Sequence, residues 1–237
     1  MTRLSVNLNK VALIRNARGG NIPDLIEVAK DCERFGAEGI TVHPRPDQRH
    51  VRYDDLAPLK QIVSTEFNIE GNPTPEFLTI VCDIKPHQCT LVPDAPDALT
   101  SDAGWNTVKH GDFLRDVIDR LHAAGIRTSL FVDPDHIMLD GAKEVGTDRI
   151  EFYTGPYAHQ FVSNPQSAIQ PFSEAAKHAD QLGLGVNAGH DLNLHNLRFF
   201  NQNLPNLLEV SIGHALISDA LYFGLQNVIQ MYKQCLV

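Results

Sequence analysis

The chain has 237 residues, of which 43% are hydrophobic and 21% charged, and its 20 Lys and Arg against 29 Asp and Glu give a formal charge of −9 at pH 7. This length and apolar content suit one α/β domain better than two ordinary domains, so residues 1–237 are predicted to form a single domain. The acidic balance argues against nucleic acid as a partner, because phosphate backbones are bound mainly through arrays of Lys and Arg.

Short β-branched runs alternate with longer amphipathic stretches along the chain, a pattern typical of βαβ units and a parallel sheet. Eight strand–helix pairs are predicted, with the strands at residues 4–8, 39–43, 67–70, 88–92, 128–132, 149–152, 185–188 and 208–212. Eight such repeats with right-handed crossovers either close into a barrel or spread as a doubly wound sheet.

Helix boundaries are also visible in the sequence. Start signals stand at residues 23–24, 53–55, 74–76 and 133–135. Glycines mark the predicted helix ends at Gly36, Gly125, Gly146 and Gly183. Residues 93–112, with several prolines and the only tryptophan, Trp105, are predicted to be a long loop that serves as a lid or as a wall of the active site.

Unusual polar residues stand at the carboxyl end of nearly every predicted strand. A doubly wound sheet concentrates its ligands at one switch point, whereas a barrel collects them from most strands. We therefore predict an α/β fold in the form of a (β/α)8 TIM barrel, with room for extra short helices and with the active site on this rim. The rim residues are Asn7, Asn9, His43, Arg45, Glu70, Thr100, Asp133, Glu151, His190, Gly213 and His214.

Residues 41–50 place His43 at a strand end, with Arg45 and Arg49 just beyond it. Histidine exchanges a proton near neutral pH, and the arginine fork holds phosphate in a bidentate manner. The alternative is that His43 caps the strand while the two arginines pair with Asp47 and Asp54 on the surface.

Residues 15–20 add Arg15 and Arg18 in a predicted loop before a flexible glycine turn. An Arg-x-x-Arg pair in a loop is more often solvated surface than phosphate site, and only its position near the predicted rim favours phosphate binding.

The glycine–histidine pairs at 189–190 and 213–214 end the seventh and eighth predicted strands. In barrels of this kind the loops after these strands form the usual phosphate cradle, where glycines admit the ligand and a helix N-terminus supplies positive charge. The alternative is that both glycines form tight turns and both histidines are core residues.

Glu70 and Glu151 end apolar strands, where partial desolvation is expected to raise the pKa of a carboxyl into the range useful for general acid and base catalysis. Either carboxylate would instead neutralise a buried arginine if its role were structural.

The remaining features concern the compartment. The sequence opens without a basic leader or cleavage site, and no apolar run approaches the roughly 18 to 20 residues of a membrane helix. The four cysteines, Cys32, Cys82, Cys89 and Cys235, have no paired spacing. These patterns predict a cytoplasmic protein with reduced thiols and no membrane partner.

Together the motifs resemble those of the pyridoxine 5'-phosphate synthases over nearly the whole chain. None of the motifs is decisive alone, but their combination is highly specific. They are residues 6–7, 15–19, 39–43 with Arg45, Arg49 and His50, 68–70, 85–87, 91–93, 154–155, 157–158, 186–190 and 212–215.

This resemblance implies condensation of 1-deoxy-D-xylulose 5-phosphate with 3-amino-2-oxopropyl phosphate to pyridoxine 5'-phosphate, with loss of inorganic phosphate and water. It implies no metal and no organic cofactor. It also implies a closed homo-oligomer, an octamer of dimers. The exposed-looking Phe199, Phe200, Leu221, Tyr222 and Phe223 would either serve such an interface or pack helix on barrel.

Residue roles follow from the matched motifs. His43 and Glu70 match the family's proton acceptors, His190 its proton donor and Glu151 its transition-state stabiliser. The resemblance assigns the aminoketone phosphate to Asn7, Arg18, Gly213 and His214, and it places Asp191 among the substrate-binding residues without assigning it to either phosphate. It assigns the deoxyxylulose phosphate to Asn9, Lys10, Arg45, His50 and Thr100.

The chain departs from the family pattern at two places. Asn9-Lys10 replaces Asp-His, and Asp191 stands where many members have glycine. Lys10 keeps a cation near a phosphate, so activity is expected to be retained, whereas Asp191 would contribute only its backbone.

Two other functions remain open. A metal-dependent barrel hydrolase or aldolase would use His43, Glu70, Glu151 and His190 as ligands, but the paired carboxylates of common metal sites are missing. A catalytically silent phosphosugar-binding barrel would have no need of the proton carriers His43, Glu70 and His190.

Overall fold

The computed structural model describes residues 1–94 and 103–237. Eight parallel strands close into one barrel in chain order, with the last strand pairing with the first. The predicted α/β TIM barrel is confirmed. The strands are β1 Arg3–Asn7, β2 Gly39–Val42, β3 Glu66–Gly71, β4 Gln88–Leu91, β5 Arg127–Val132, β6 Arg149–Phe152, β7 Gly185–Gly189 and β8 Leu207–Ile212.

Each predicted strand coincides with an observed strand, and no end is displaced by more than one residue. The agreement has a simple cause. Outward side chains such as Leu4, Val6, Ile40 and Phe67 are fully buried beneath the helices, so each strand must carry the apolar residues that the sequence displays.

Eleven helices surround the described barrel. They are α1 Asn9–Asn16, α2 Leu25–Arg34, α3 Tyr53–Ile62, α4 Pro75–Ile84, α5 Gly111–Ala123, α6 His136–Glu144, α7 Gly155–Phe161, α8 Pro165–Leu182, α9 Leu197–Asn203, α10 His214–Phe223 and α11 Leu225–Gln234. Two helices instead of one follow β1, β6 and β8, and the additional helix in each pair is the extra element for which the prediction left room.

The predicted helix signals are found in place. Side chains of Asp24, Thr74 and Asp135 accept hydrogen bonds from backbone N–H groups in the first turns of α2, α4 and α6. All four predicted stop glycines have positive φ, a conformation that glycine adopts at the least cost.

One local prediction is wrong. Arg15 was expected in a loop, but it lies in the last turn of α1. Its guanidinium forms a bidentate ion pair with Asp55 at 2.6 and 2.9 Å, and it also donates to the carbonyl oxygen of His50. Since Arg15 is buried, it ties α1 to α3 and to the loop after β2 instead of facing a ligand.

The interior of the barrel is polar, in contrast to its outer layer. Inward-facing residues bond across the strands: Ser5 to Thr41 at 2.7 Å, and Thr90 to Asn68 at 3.1 Å. This alternation between an apolar outer face and a polar inner face lets each strand end in a reactive side chain without losing its packing.

The described part of the predicted long loop packs on the barrel. Trp105 is buried, its indole Nε1 donates to the carbonyl oxygen of Leu91, and its backbone N–H donates to that of Phe131. Trp105 therefore fixes the entry to α5 against β4 and β5.

Candidate active site at the carboxyl rim

A cavity of about 560 Å³ opens at the carboxyl ends of the strands. This size lies within the usual range for small-molecule sites, roughly 300 to 1,000 Å³. Most of the predicted site residues meet here. They are Asn7, Asn9, Lys10, His43, Arg45, His50, Glu70, Glu151, His190, Asp191, Gly213 and His214.

The other predicted residues are Arg18, Thr100 and Asp133. Arg18 is exposed in the turn after α1 and is not among the described residues that line the cavity. Thr100 lies outside the described residues. Asp133, also expected on the rim, instead accepts a hydrogen bond from the backbone N–H of Gly104 at 3.2 Å.

Glu70 lies on β3 between two partners. Its Oε2 is 3.8 Å from Nδ1 of His43 and accepts a 3.4 Å hydrogen bond from Nδ2 of Asn7. Burial, together with the negative charge of Asp94, raises the pKa of Glu70 to about 8, although Arg45 acts in the opposite sense. A carboxyl with this pKa holds its proton at neutral pH.

Glu151 on β6 is the second buried carboxyl of the site. Burial and the nearby Glu70 raise its pKa well above the ordinary range. A Cβ on Gly189 would lie 2.3 Å from the carbonyl oxygen of Ser211 and 3.2 Å from Oε1 of Glu151. The backbone of β8 therefore requires glycine at position 189, and the absence of a side chain there also leaves room for the Glu151 carboxyl.

The histidines at this end of β2 are held in the neutral form. Burial, and then the positive charge of Arg45, lower the pKa of His43 well below its usual value. The same two causes lower the pKa of His50 to about 4. Within the described chain, the buried Nδ1 of His50 has no hydrogen-bond partner, so it is free to accept from a ligand.

Two amide side chains position the groups that line the cavity near β1 and β2. Oδ1 of Asn7 accepts from the backbone N–H of Asn9, which leaves its Nδ2 directed to Glu70. Oδ1 of Asn9 in turn accepts from the backbone N–H of His43 at 2.9 Å. Lys10 follows in the first turn of α1 and lines the cavity with a positive charge.

The two arginines after β2 behave differently. Arg49 forms a 3.3 Å ion pair with the half-exposed Asp47, which agrees with the alternative that the two arginines pair with aspartates on the surface. Arg45 is buried, lines the cavity and pairs with buried Asp94 at 2.7 Å. The surface alternative therefore fails for Arg45.

Gly213 and His214 stand where β8 passes into α10. A Cβ on Gly213 would be 3.0 Å from Cβ of Asn7 and 3.2 Å from its carbonyl oxygen, so the close approach of β1 and β8 favours glycine at this position. No side chain of the described residues caps the first turn of α10. Its first backbone N–H groups thus remain available to an anion.

His190 follows β7 with a positive φ of 49°. Its Nδ1 lies 2.8 Å from Oδ2 of Asp191, whose carboxylate accepts the hydrogen of that nitrogen and orients the ring. The Asp191 side chain thus makes a specific contact in the site, whereas the sequence suggested a contribution from its backbone alone.

Several residues that line the cavity were not predicted as site residues. They are Thr90, Val92, Phe131, Asn193, Ser211 and Ala215. Thr90, Phe131 and Ser211 obey the same inward alternation as Glu70 and Glu151, so the strand period was a usable signal for them. Asn193 lies on the loop beyond β7, where no period applies.

Among residues 1–94 and 103–237, no group of three or more His, Cys, Asp or Glu side chains is arranged to hold a metal ion. In the same residues, no helix is both long and apolar enough to cross a membrane.

Comparison with known proteins decides the family. The family described as "Pyridoxal phosphate biosynthesis protein PdxJ" matches residues 4–237. The chain belongs to this family. The predicted resemblance is thereby confirmed.

Relatives in this family are similar along their full length. The pyridoxine 5'-phosphate synthase of Cytophaga hutchinsonii is 63% identical over 232 residues, which cover 98% of both chains. That of Bacteroides fragilis is 59% identical over 236 residues, which cover 100% of both chains.

Solved structures of other proteins share the fold alone. Tryptophan synthase from M. tuberculosis aligns with a TM-score of 0.66 at 13% identity, covering 100% of this chain and 94% of its own. Phosphoribosylanthranilate isomerase from Thermotoga maritima aligns with a TM-score of 0.60 at 13% identity, covering 100% and 98%.

Proposed function

We propose that this chain is a pyridoxine 5'-phosphate synthase, which condenses 1-deoxy-D-xylulose 5-phosphate with 3-amino-2-oxopropyl phosphate and releases inorganic phosphate and water. The observation that carries the proposal is the meeting of Glu70, Glu151 and neutral His43 in one cavity of a family member. Imine formation, phosphate loss, carbon–carbon addition and dehydration need several proton transfers around one trapped intermediate.

Two sets of groups suit two phosphates. Lys10, Arg45 and His50 would hold the deoxyxylulose phosphate together with Asn9, through charge and directed hydrogen bonds. The first turn of α10 at Gly213 and His214, beside Asn7, would hold the aminoketone phosphate. Lys10, Arg45 and the N-terminus of α10 supply a local positive field that a chain of charge −9 otherwise lacks.

His43 and Glu70 would work as a proton-accepting pair. Neutral His43 accepts a proton directly, and its Nδ1 is 3.8 Å from Glu70, close enough to pass the proton on with a small movement. Glu70 is itself protonated before substrate binds, so it must lose this proton before it can act as an acceptor. The positive charge of the substrate amine would favour the ionised form of Glu70.

Glu151 and His190 would act as donors, in contrast to the proton acceptors His43 and Glu70. A carboxyl that stays neutral donates a hydrogen bond to an oxygen that gains negative charge, which suits Glu151 as the stabiliser of a transition state. His190, oriented by Asp191, would take up a proton released in an earlier step and deliver it to a leaving oxygen.

Assembly and location also belong to the proposal. Leu221, Tyr222 and Phe223 on α10 are 75%, 85% and 51% exposed, which favours a homo-oligomeric interface there. Phe200 is fully buried and Phe199 packs against the core, so these two serve the fold. We expect a cytoplasmic enzyme that uses no metal and no organic cofactor.

The test is direct. Purified protein is mixed with the two phosphates, and pyridoxine 5'-phosphate and inorganic phosphate are quantified separately. The proposal predicts that the two products rise in equal amounts. Binding of both substrates without product would favour the silent barrel, and product only after addition of a divalent metal would favour the metal-dependent alternative.

A further inference from the structure

A buried ion pair joins the loop after β2 to the chain that leaves β4. Nη2 of Arg45 donates to Oδ2 of Asp94 at 2.7 Å, and the two side chains are only 6% and 5% exposed. Arg45 lines both the main cavity and a small adjoining pocket, and Asp94 lines the second. The pair therefore forms the wall between the two spaces.

Stability alone is a weak reason for such a pair. Removing two charges from water costs about as much as their attraction returns, so apolar residues of similar volume often serve equally well. Arg45 also has to hold a fixed direction if a planar guanidinium is to meet a phosphate, and an unpaired side chain of this length has many rotamers.

The pair also controls the charge around Glu70. The titratable and polar groups that act on Glu70 come from β1, the end of β2 and its loop, the chain after β4, β6 and β8. They are Asn7, His43, Arg45, Asp94, Glu151 and Glu209. His190, in the turn after β7, acts on Glu151 and His43. Arg45 alone would favour the ionised form of Glu70, and Asp94 opposes it.

We propose that Asp94 is a positioning residue of the reaction, which directs the Arg45 guanidinium into the cavity and cancels its charge beside Glu70. This inference rests on the proposed function, in which Arg45 binds a substrate phosphate and Glu70 moves a proton. When the phosphate arrives, it shares the guanidinium with Asp94, so substrate binding is coupled to the charge that Glu70 experiences.

The decisive variant is Asp94→Asn, which keeps an oxygen for Nη2 and removes the charge. Carbon-13 NMR of labelled glutamate in the substrate-free protein, with Glu70→Gln to assign the signal, measures the ionisation of Glu70 directly. In Asp94→Asn we expect it to move to lower pH by about one unit, since both the lost carboxylate and the uncompensated arginine favour the ionised form.

Activity supplies a second readout. The limb of the pH–rate profile that Glu70 governs should move in the same direction, and the KM for deoxyxylulose phosphate should rise several-fold while that for the aminoketone phosphate stays unchanged. Asp94→Glu should restore the profile, because it keeps the charge. The matched control is Asp47→Asn, which removes the carboxylate of the partly exposed pair with Arg49 and should leave the profile as it is.

Arg45→Gln should shift the ionisation of Glu70 in the opposite direction from Asp94→Asn. It therefore tests the proposal even if Asp94→Asn does not fold. Without the positive charge of Arg45 to oppose the negative charge of Asp94, the ionisation of Glu70 should move to higher pH. A Glu70 titration unchanged in both variants would overturn the proposal. If the wild-type protein forms no pyridoxine 5'-phosphate, the proposed function fails, but the substrate-free titration still decides the link between Asp94 and Glu70.

Discussion

The two ends of the barrel interior both bury charged side chains, but they accommodate them in different ways. At the amino end, Glu66 on β3 contacts three arginines, with Arg3 at 3.4 Å, Arg149 at 3.6 Å and Arg127 closer still. At the carboxyl end, Glu70 and Glu151 are each without an arginine ion pair among the described contacts, and their raised pKa values keep them protonated.

The comparison shows how one strand provides both a structural and a reactive carboxyl. Glu66 and Glu70 lie four residues apart on β3 and point to the same interior. The first is held by its contacts with three arginines, whereas burial leaves the second able to exchange a proton. Glu209 on β8 shares features of both carboxyls. Burial raises its pKa to about 8, as for Glu70, but an arginine, Arg149, opposes the shift.

The largest effect is expected from replacing the reactive carboxyl. Glu70→Gln keeps the size and hydrogen-bonding capacity of the side chain but cannot carry a proton, so turnover should fall at least about 100-fold while both phosphates still bind. Steady-state kinetics and equilibrium binding of each substrate measure the two properties. Near-normal turnover in a folded variant would remove Glu70 from the mechanism.

Glu66→Gln is the matched substitution at the other end of the same strand. It leaves arginines without their shared anion, so the free energy of unfolding should fall by about 3 kcal/mol while kcat stays close to the wild-type value. Urea denaturation and the product assay make the comparison. A loss of kcat as large as that of Glu70→Gln would show that the two ends are not separate in function.

The phosphate ligands should give a smaller and more selective effect. Arg45→Ala should raise the KM for deoxyxylulose phosphate about 10-fold to 100-fold, because one charge-assisted contact is worth roughly 1.5 to 3 kcal/mol. Arg18→Ala tests the role implied by the family for the aminoketone phosphate. Unchanged kinetics in Arg18→Ala would make it the surface residue that its exposed position indicates.

Asp191→Asn should have a milder effect. It keeps a side-chain oxygen near Nδ1 of His190 but removes the negative charge, so kcat should fall by about 3-fold to 10-fold with little change in either KM. Asp191→Gly, which restores the residue common in the family, tests the same role by removing the whole side chain. A kcat above that of the wild-type protein in either variant would contradict an orienting role for Asp191.

Chelation is expected to have no effect. Prolonged treatment with a strong chelator should leave the rate of pyridoxine 5'-phosphate formation unchanged. A loss of rate that one divalent metal restores would contradict the cofactor-free mechanism.

Much of this arrangement was accessible from the sequence, because local patterns encode it. The strands follow from apolar runs that the helices cover, and Glu70, Glu151 and His190 were found from their place at strand ends. Gly36 and Gly183 marked helix ends because their positive φ leaves few alternatives to glycine.

The partners of these residues were not accessible, since they depend on packing between distant segments. Asp94 is 49 residues from Arg45, and Asp55 is 40 residues from Arg15. No period or spacing links such pairs. Arg15 was misplaced for the same reason, because the short helix α1 turns its last residues toward α3, while Arg18, three residues later, remains exposed.

The state of Glu70 in the substrate-free protein is the most direct test of the contrast between the two ends. A carboxyl that keeps its proton up to about pH 8, but loses it near pH 4.5 when unfolded, makes the protein less stable as the pH rises between these values. Carbon-13 NMR titration of Glu70, assigned with Glu70→Gln, should therefore show its ionisation near pH 8. Ionisation near pH 4.5 would contradict the account.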